Sequence, residues 1–455
     1  KWLGIVGSGA SGTVASNEAA LMALAPGAGP PPRRTRNLVL EDHVFWAGKQ
    51  LFVSGMGEPS GRQFTATEPR VYRAEPGPGD GDLALTRIAP ESPGSLSEIV
   101  SLADGTLLTD EYVSTRMRVS LVEPSSGKVR MLLDHRGWVA NLSASRDGRR
   151  IAFAAGDPGH FAEIYVAEGL EDLASAKAVT DFNVRLSRSS LPEIESVDWD
   201  GGDGVRVEGV VDWPPGRKGE KGLPVIVDLH GGPFGVARSE ALDLYGSYMS
   251  YPTLLAARGY LVLNVNYRGS GGRGDAFTRG IQDHFCSVPS QDVIRGVESL
   301  VARGWADPKR AGVIGYSGGG GLTKCLAGRT DIFRAIVTGA GVWDGVTLYG
   351  TGRGGFWADV FFGGKAPWED FRHWWIESPV GAMATAKTPT LIVAGQKDGD
   401  GPAQATEMYH DFVWRGTPAE LLLFPGETHI FAKPSHKKTK IRSEVEWFER
   451  YLRGT

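Results

Sequence analysis

Val313-Ile314-Gly315-Tyr316-Ser317-Gly318-Gly319-Gly320 runs a short apolar strand into Gly-x-Ser-x-Gly, and a helix-compatible run, Leu322 to Leu326, follows. A serine displayed on a sharp strand-to-helix turn has a strained backbone, and its neighbours two residues away on either side must be tiny. The turn lifts the hydroxyl above the sheet, and the helix N-terminus behind it favours developing negative charge. Glycine makes up 63 of the 455 residues, so a glycine-rich turn is the plain alternative. The surrounding sequence decides between the two.

From about Ser196 onward, apolar strands alternate with longer helical stretches. Pro224 to Leu229 reads as a buried strand leading into His230-Gly231-Gly232-Pro233. Tyr251 to Arg258 is helical, Tyr260 to Tyr267 a strand, Val293 to Arg303 an amphipathic helix, and Ala311 to Tyr316 the strand delivering Ser317. Phe333 to Val337, Thr388 to Ala394 and Ala419 to Phe424 supply further strands, with helices over Gln404 to Trp414 and Ile441 to Leu452. Such alternation predicts a mostly parallel sheet covered on both faces. Active groups then belong at the carboxyl ends of the strands.

Candidate groups fall there. Asp398 follows the strand ending at Ala394, and His429 follows the strand ending at Phe424. The order Ser, Asp, His is that of α/β-hydrolases. A neutral hydroxyl needs an imidazole base, and the imidazole needs a carboxylate to fix its tautomer. A tetrahedral intermediate needs two aimed N–H donors, and the amides of Gly232 and Gly318 are the natural pair. The candidate catalytic residues are therefore Ser317, Asp398 and His429, with Gly232 and Gly318 as oxyanion hole. Asp400 competes with Asp398 for the acid role. Asp292 and His284 read as helix-start and surface groups, His230 as structural and Lys397 as solvated.

The first half carries a different texture. Gly7-Ser8-Gly9-Ala10-Ser11-Gly12 after an apolar strand, with a possible helix from Val14 to Leu24, invites a dinucleotide-site reading. A repeat fits better: Trp2-Leu3-Gly4 returns as Trp46-Ala47-Gly48, and Asp104-Gly105 as Asp147-Gly148, with short β-rich runs after three of these turns. Short strands recurring every ~40–45 residues are the mark of β-propeller blades. The longer interval between Gly48 and Gly105 predicts an insertion, placed at the Pro/Gly/Asp-rich loop Gly77 to Gly81. Ala25 to Arg36 reads as a flexible or cleavage-prone loop. No catalytic cluster is apparent in this half.

Composition adds exclusions. A net charge of −4 gives no electrostatic reason to expect nucleic acid or an anionic membrane. No apolar run reaches spanning length, and no signal peptide opens the chain, although Lys1 leaves open a processed start. The basic run His436, Lys437, Lys438, Lys440, Arg442 reads as a solvated face. Cys286 and Cys325 have neither metal-ligand spacing nor a disulfide framework, so a reducing, cytoplasmic setting is expected.

The second half resembles the catalytic domain of the prolyl oligopeptidase family of serine peptidases, nearest in texture to acylaminoacyl and dipeptidyl peptidases. The resemblance rests on His230 to Pro233, Asn266-Tyr267-Arg268-Gly269-Ser270-Gly271-Gly272, Gly315 to Gly319, Ser378-Pro379, Thr388 to Ile392, Gly395 to Asp398 and Gly426 to His429. It implies an α/β-hydrolase fold preceded by a β-propeller, the triad Ser317, Asp398, His429, and the Gly232 and Gly318 amides as oxyanion hole. Three departures stand out. More glycine follows Gly318, where the family usually has a non-glycine residue directly after the nucleophile. The propeller is short or truncated, with room for about five blades rather than seven. Asp400 stands where such peptidases often carry an arginine gripping a substrate carbonyl; an ionised carboxylate cannot donate that bond and suits a cationic group instead.

The resulting expectation is a β-propeller-like domain over 1–195, of about four to five blades, and an α/β-hydrolase catalytic domain over 196–455. Its activity is expected to be hydrolysis of short peptides, with access gated by the propeller and no metal or cofactor. An esterase or amidase acting on a non-peptide small molecule is the alternative, and a binding protein that kept the fold is a further one. Neither nucleic acid nor membrane is expected as a partner, and self-association is left open. An aromatic-dense segment between Val337 and Thr388 occupies the place the resemblance gives to the acyl-side pocket. Trp343, Tyr349, Phe356 and Trp357 are its candidate substrate contacts beside Asp400, ordinary core packing being the alternative for each.

Overall fold

The structure is a computed structural model that describes residues 2–11, 14–23, 33–34, 40–56, 68–76, 83–90, 92, 94–145, 147–186, 189–232, 234–241, 248–351 and 361–453. The chain forms two compact units. The first comprises residues 1–156, 162–183 and 271–279, the second residues 157–161, 184–270 and 280–455.

The first unit is built of small antiparallel sheets. Strands β1 (Trp2–Ser11), β2 (Val14–Ala23) and β3 (Arg33–Arg34) form one in the order β1-β2-β3. Four-stranded meanders follow: β4 (Leu40–Ala47) to β7 (Leu83–Arg87) through β5 (Gln50–Met56) and β6 (Arg70–Pro76). The next runs from β8 (Ser95–Ser101) to β11 (Val129–His135) through β9 (Leu107–Val113) and β10 (Arg116–Val122). The last runs from β12 (Trp138–Ala144) to β15 (Lys177–Ala178) through β13 (Ile151–Asp157) and β14 (His160–Ala167). These sheets are blades of a β-propeller.

The sequence repeat has a physical cause. Gly48, Gly105 and Gly148 each occupy the tight turn between the first two strands of a blade, at φ of 60°, 87° and 68°, a backbone state that glycine enters without strain. Gly4 is the exception: it lies inside β1, not in a turn. The dinucleotide reading is overturned by the same hairpin. Val14 to Ala23 is a strand paired antiparallel with β1, Gly9 opposite Ser16, so no helix N-terminus faces the glycines. Gly77 to Gly81, and all of Ala25 to Arg36 except β3, lie outside the described residues. Residues 271–279 join this unit through the buried Glu68 carboxylate. It accepts N–H bonds from Gly272 (2.9 Å), Arg273 (3.0 Å) and Gly274 (2.8 Å), while Arg70 and Arg87 pair with Asp275 at 3.0 Å.

The second unit carries an eight-stranded sheet. Its strands are β16 (Glu193–Asp200), β17 (Arg206–Trp213), β18 (Leu223–Leu229), β19 (Leu261–Asn266), β20 (Ala306–Tyr316), β21 (Phe333–Gly339), β22 (Thr390–Gly395) and β23 (Ala419–Phe424), in the order β16-β17-β19-β18-β20-β21-β22-β23. The strands from β19 to β23 are parallel, and β16 and β17 form an antiparallel edge. Strand β16 straddles position 195/196. Helices α1 (Pro252–Ala257), α2 (Ser287–Ala302), α3 (Gly318–Arg329), α4 (Gly345–Thr351), α5 (Phe371–Glu377), α6 (Gly401–Trp414) and α7 (Pro434–Phe448) connect or flank the strands.

Alternate side chains of each central strand face opposite layers, which is why these strands read as continuous apolar runs. Ile226, Val262, Ile314, Val337 and Leu391 pack with Leu255 of α1 and Val445, Trp447 and Phe448 of α7. On the other face, Leu263 and Trp199 close over Gly296 of α2. Each such fully buried side chain contributes roughly 1.5–3 kcal/mol relative to exposure. No helix among the described residues is long and apolar enough to cross a membrane.

The chain goes from β18 to β19 on one side, then returns to place β20 on the other side of β18. That reversal opens a crevice at the carboxyl ends of β18 and β20, where α/β sheets hold their ligands. Paired residues Leu229 with Gly315, Tyr316 with Gly339 and Gly395 with Phe424 bring these strand ends level.

Candidate active site

Ser317 sits directly past β20 at φ 59° and ψ −121°, the strained conformation expected of a displayed nucleophile. The flanking glycines are required by contact as well as by turn geometry. A Cβ at Gly319 would lie against the carbonyl oxygen of Leu229, and one at Gly315 against the backbone of Gly319, both closer than 3.0 Å. The Ser317 N–H donates to the Gly339 carbonyl at 2.9 Å, fixing the turn to β21.

His429 completes the arrangement. Its Nε2 lies 2.9 Å from Ser317 Oγ, and its Nδ1 lies 3.0 and 2.9 Å from the two oxygens of Asp398. With the carboxylate accepting from Nδ1–H, Nε2 is left as acceptor for the serine proton. Asp398 takes the acid position; Asp400 lines the adjoining cavity instead. The backbone holds the two loops together: Lys397 N–H donates to the Glu427 carbonyl at 2.7 Å, and Gln396 N–H to that of Phe424 at 3.0 Å. The buried Glu427 carboxylate accepts from Ala432 N–H, Lys433 N–H and His436, at 2.6, 3.0 and 2.7 Å, and so pins the loop that carries His429. Tyr316 and Tyr248 hydroxyls donate to the His429 carbonyl at 2.9 and 3.2 Å.

The loop after β18 is built by the Asn266 to Ser270 motif. His230 stacks on Tyr267 with ring centroids 4.5 Å apart, Tyr267 OH donates to the His230 carbonyl at 2.9 Å, and His230 Nε2 meets Ser270 Oγ at 2.8 Å. Desolvation pushes the His230 pKa down to about 4, so its ring is a neutral strut near pH 7. Asn266 clamps Ala237 through both its side-chain atoms, at 2.6 and 3.1 Å. Gly232, at φ 110°, approaches Gly318 so closely that a Cβ at 318 would fall within 3.0 Å of the Gly232 carbonyl oxygen. This contact explains why glycine directly follows Ser317. Gly318 N–H opens α3 and, as a first-turn donor, has no intrahelical acceptor.

A cavity of about 470 Å³ adjoins Ser317, lined by Phe285, Ala340, Gly341, Val342, Leu348, Phe361, Asp398, Asp400, Gln404 and His429, with Gly232 and Gly318. Among the described residues its Phe, Tyr and Trp rings are Phe285 and Phe361. Trp343 is fully buried beside Phe412, and Tyr349 packs edge-on against Trp368 and Trp374; neither lines the cavity. Phe356 and Trp357 lie outside the described residues. Within the aromatic segment Phe362 and Trp374 are core, stacked at 3.7 Å, whereas Trp368, Phe371 and Trp375 are exposed. Gln404, which the sequence did not single out, fixes the wall: its Oε1 accepts the N–H groups of Trp343 and Asp344 at 2.7 and 2.8 Å.

Three further expectations are corrected. Asp292 lies fully buried inside α2, which begins at Ser287, rather than at the helix start, and pairs with Arg268 at 2.7 Å, with desolvation the largest influence and its pKa raised. Lys440 is buried rather than solvated. Its ammonium donates to the Tyr248 carbonyl and to Glu444, each at 2.8 Å, and lies 5.2 Å from the Tyr316 ring. Cys286 and Cys325 form a disulfide joining the start of α2 to α3, with Cα atoms 5.3 Å apart. Two lone cysteines 39 residues apart gave no sequence signal for it.

Residues 247–455 match the prolyl oligopeptidase family. Among curated proteins the chain is similar to an uncharacterized peptidase of Bacillus subtilis, 28% identical over 321 residues, covering 69% of this chain and 47% of that protein. It is also 28% identical over 262 residues to the acylamino-acid-releasing enzyme of Mus musculus, covering 54% of this chain and 34% of that one. The chain thus spans about a third to a half of the length of these relatives. Among solved structures, Pyrococcus horikoshii acylaminoacyl peptidase superposes with a TM-score of 0.80 at 20% identity, covering 99% of this chain and 69% of that one. A Mycobacterium tuberculosis puromycin-hydrolyzing peptidase does so at 0.73 and 22% identity, covering 96% and 65%. These likenesses establish the fold: a propeller followed by an α/β-hydrolase.

Proposed function

We propose that the protein is a serine peptidase hydrolysing short peptides through an acyl-enzyme. The observation that carries this reading is the unbroken chain from Ser317 Oγ through His429 to Asp398 at the carboxyl edge of the sheet. Ser317 Oγ attacks the scissile carbonyl while His429 Nε2 takes its proton, and the imidazolium formed is stabilised by Asp398. The amides of Gly232 and Gly318 receive the oxyanion, where donors held in place need no reorganisation. Collapse passes the proton from His429 to the leaving amine and leaves the acyl ester on Ser317. Water, deprotonated by His429, then attacks that ester and frees the acid. The match of residues 247–455 to the prolyl oligopeptidase family supports an amide substrate over a simple ester.

A fluorophosphonate probe, with mass spectrometry of the labelled peptide, tests the nucleophile: adduct is expected on Ser317 and none in Ser317→Ala. Turnover of aminoacyl anilides, absent in the same variant, tests the peptidase assignment. Hydrolysis of aryl esters alone would replace it with a small-molecule esterase. That the propeller screens substrates by size belongs to the same proposal. It predicts falling kcat/KM as peptides lengthen; proteins cleaved as fast as tripeptides would refute it.

A further inference from the structure

We infer that Asp400 makes the enzyme selective for substrates carrying a cationic group in the part seated in the Ser317 cavity. The inference rests on the serine peptidase reading above. Among the described residues, five polar side chains line the cavity, those of Ser317, Asp398, Asp400, Gln404 and His429. Three of them are joined in the Ser317–His429–Asp398 chain. Gln404 is spent on the backbone of Trp343 and Asp344: its Oε1 accepts both N–H groups, and its Nε2 donates to the Asp344 carbonyl at 3.4 Å.

Asp400 is different. It stands at the start of α6, half-buried, and its side chain makes no capping hydrogen bond. No described residue pairs with its carboxylate, and no described cationic side chain lines the cavity. The buried cation Lys324 does not line the cavity; its ammonium donates to the carbonyl of Gly341, a lining residue, at 2.5 Å. It faces Glu407 of α6, whose own pKa is raised by burial and by Asp344. The Asp344 carboxylate is engaged by Val346 N–H and the Thr347 hydroxyl. Among the described residues, the Asp400 carboxylate therefore keeps its acceptor capacity open toward the cavity, beside the apolar walls Phe285, Val342 and Phe361.

A partly desolvated carboxylate attracts an ammonium or guanidinium more strongly than one in bulk water, and it repels a substrate carboxylate. Two sources offer that cation: the free α-amino group of a peptide, or a lysine or arginine side chain. Both are read by the same charge-assisted hydrogen bond.

The test measures kcat/KM on three anilides in parallel: alanyl with a free amine, N-acetyl-lysyl, and N-acetyl-alanyl as the neutral reference. At least one cationic substrate is expected to exceed the neutral one by about tenfold, or about 1.4 kcal/mol of discrimination. Preference for the free amine assigns the α-ammonium, and preference for acetyl-lysyl assigns the side chain. In Asp400→Asn the ratio is expected to fall toward one, in Asp400→Glu to persist, and at high salt to shrink. A second readout needs no turnover: alaninamide or lysinamide should slow fluorophosphonate labelling of Ser317 more than its N-acetyl counterpart, and Asp400→Asn should abolish the difference. Labelled Ser317 with no cation preference, or a preference unchanged in Asp400→Asn, overturns this inference alone. Unlabelled Ser317 overturns the serine peptidase reading and this inference with it.

Discussion

Replacing Lys324 by methionine should change how stability depends on pH, by an amount the structure sets. Lys324 lies on α3, one per cent exposed, with the Gly341 carbonyl as hydrogen-bond partner and Glu407 as its nearby countercharge. Burial outweighs Glu407 and pushes its pKa from 10.5 down to about 7. The unfolded chain thus keeps the proton up to about pH 10.5 and the folded chain only up to about pH 7, so between these values wild-type stability rises with pH. Below about pH 7 both states are protonated and the folded protein bears the whole penalty, on the order of 5 kcal/mol at about 1.4 kcal/mol per tenfold. Methionine fills a similar volume and carries no charge, so subtracting the variant cancels the titrating groups that do not interact with Lys324; Glu407, which does, is the exception. From about pH 6 to about pH 9, the stability of Lys324→Met minus that of wild type should fall by about 3 kcal/mol. Urea unfolding of the second unit, followed by helical circular dichroism at several pH values, measures it. A difference constant to within about 0.5 kcal/mol over that range would refute the reasoning, whatever its absolute size.

Gly318→Ala should lower kcat by about 10²-fold with little change in melting temperature, because the new methyl must displace either Ser317 or the Gly232 loop. Activity within threefold of wild type would show that the loop yields freely. Asp398→Asn should cost about 10³–10⁴-fold in kcat, since an amide favours the wrong His429 tautomer; slower Ser317 labelling with intact folding is the check. Converting both Cys286 and Cys325 to serine should cost about 3–4 kcal/mol of stability from the loop released. Thiol titration of the native, unreduced protein giving two free sulfhydryls would refute the bond itself.

The strand–helix alternation, the strand ends and the order Ser, Asp, His were legible in the sequence because each follows from local rules: apolar period, turn chemistry, and the need for three groups at sheet ends. The blade turns were legible for the same reason, since positive φ leaves glycine at one position per blade, and Gly4 misled because it copies the residue type without the turn. Trp343 and Tyr349 were misassigned because an aromatic residue in the right segment reads identically whether it faces a cavity or the core. Lys440 was misread because a charged residue in a polar run looks solvated, and Asp292 because the helix pattern was read from Val293 rather than Ser287. Only the fold supplies the Tyr248 carbonyl to the one and Arg268 to the other.

The glycine run after Ser317 shows how one local feature shapes the wider site. A Cβ at Gly318 would meet the Gly232 carbonyl, at Gly319 that of Leu229, at Gly320 that of Gly339, and at Gly321 the ring of Phe285. Four successive positions thus let the first turn of α3 sit against the ends of β18 and β21 and against a cavity wall, which one Cβ would prevent. Gly321 and Cys325 are four residues apart and so share a face of α3. Their partners, Phe285 and Cys286, are consecutive in the chain. The disulfide therefore anchors, one turn further along, the same segment that Gly321 admits. Glu377 fixes it from the other side, accepting the N–H groups of Cys286 and Ser287 at 2.8 and 3.0 Å. Phe285 is held by the helix that carries the nucleophile at its start, so the width of the cavity and the position of Ser317 are set by the same element. A substitution that moves α3 must then alter what is bound as well as how fast it reacts, whereas one at Asp400, on α6, can alter selection while leaving the nucleophile in place.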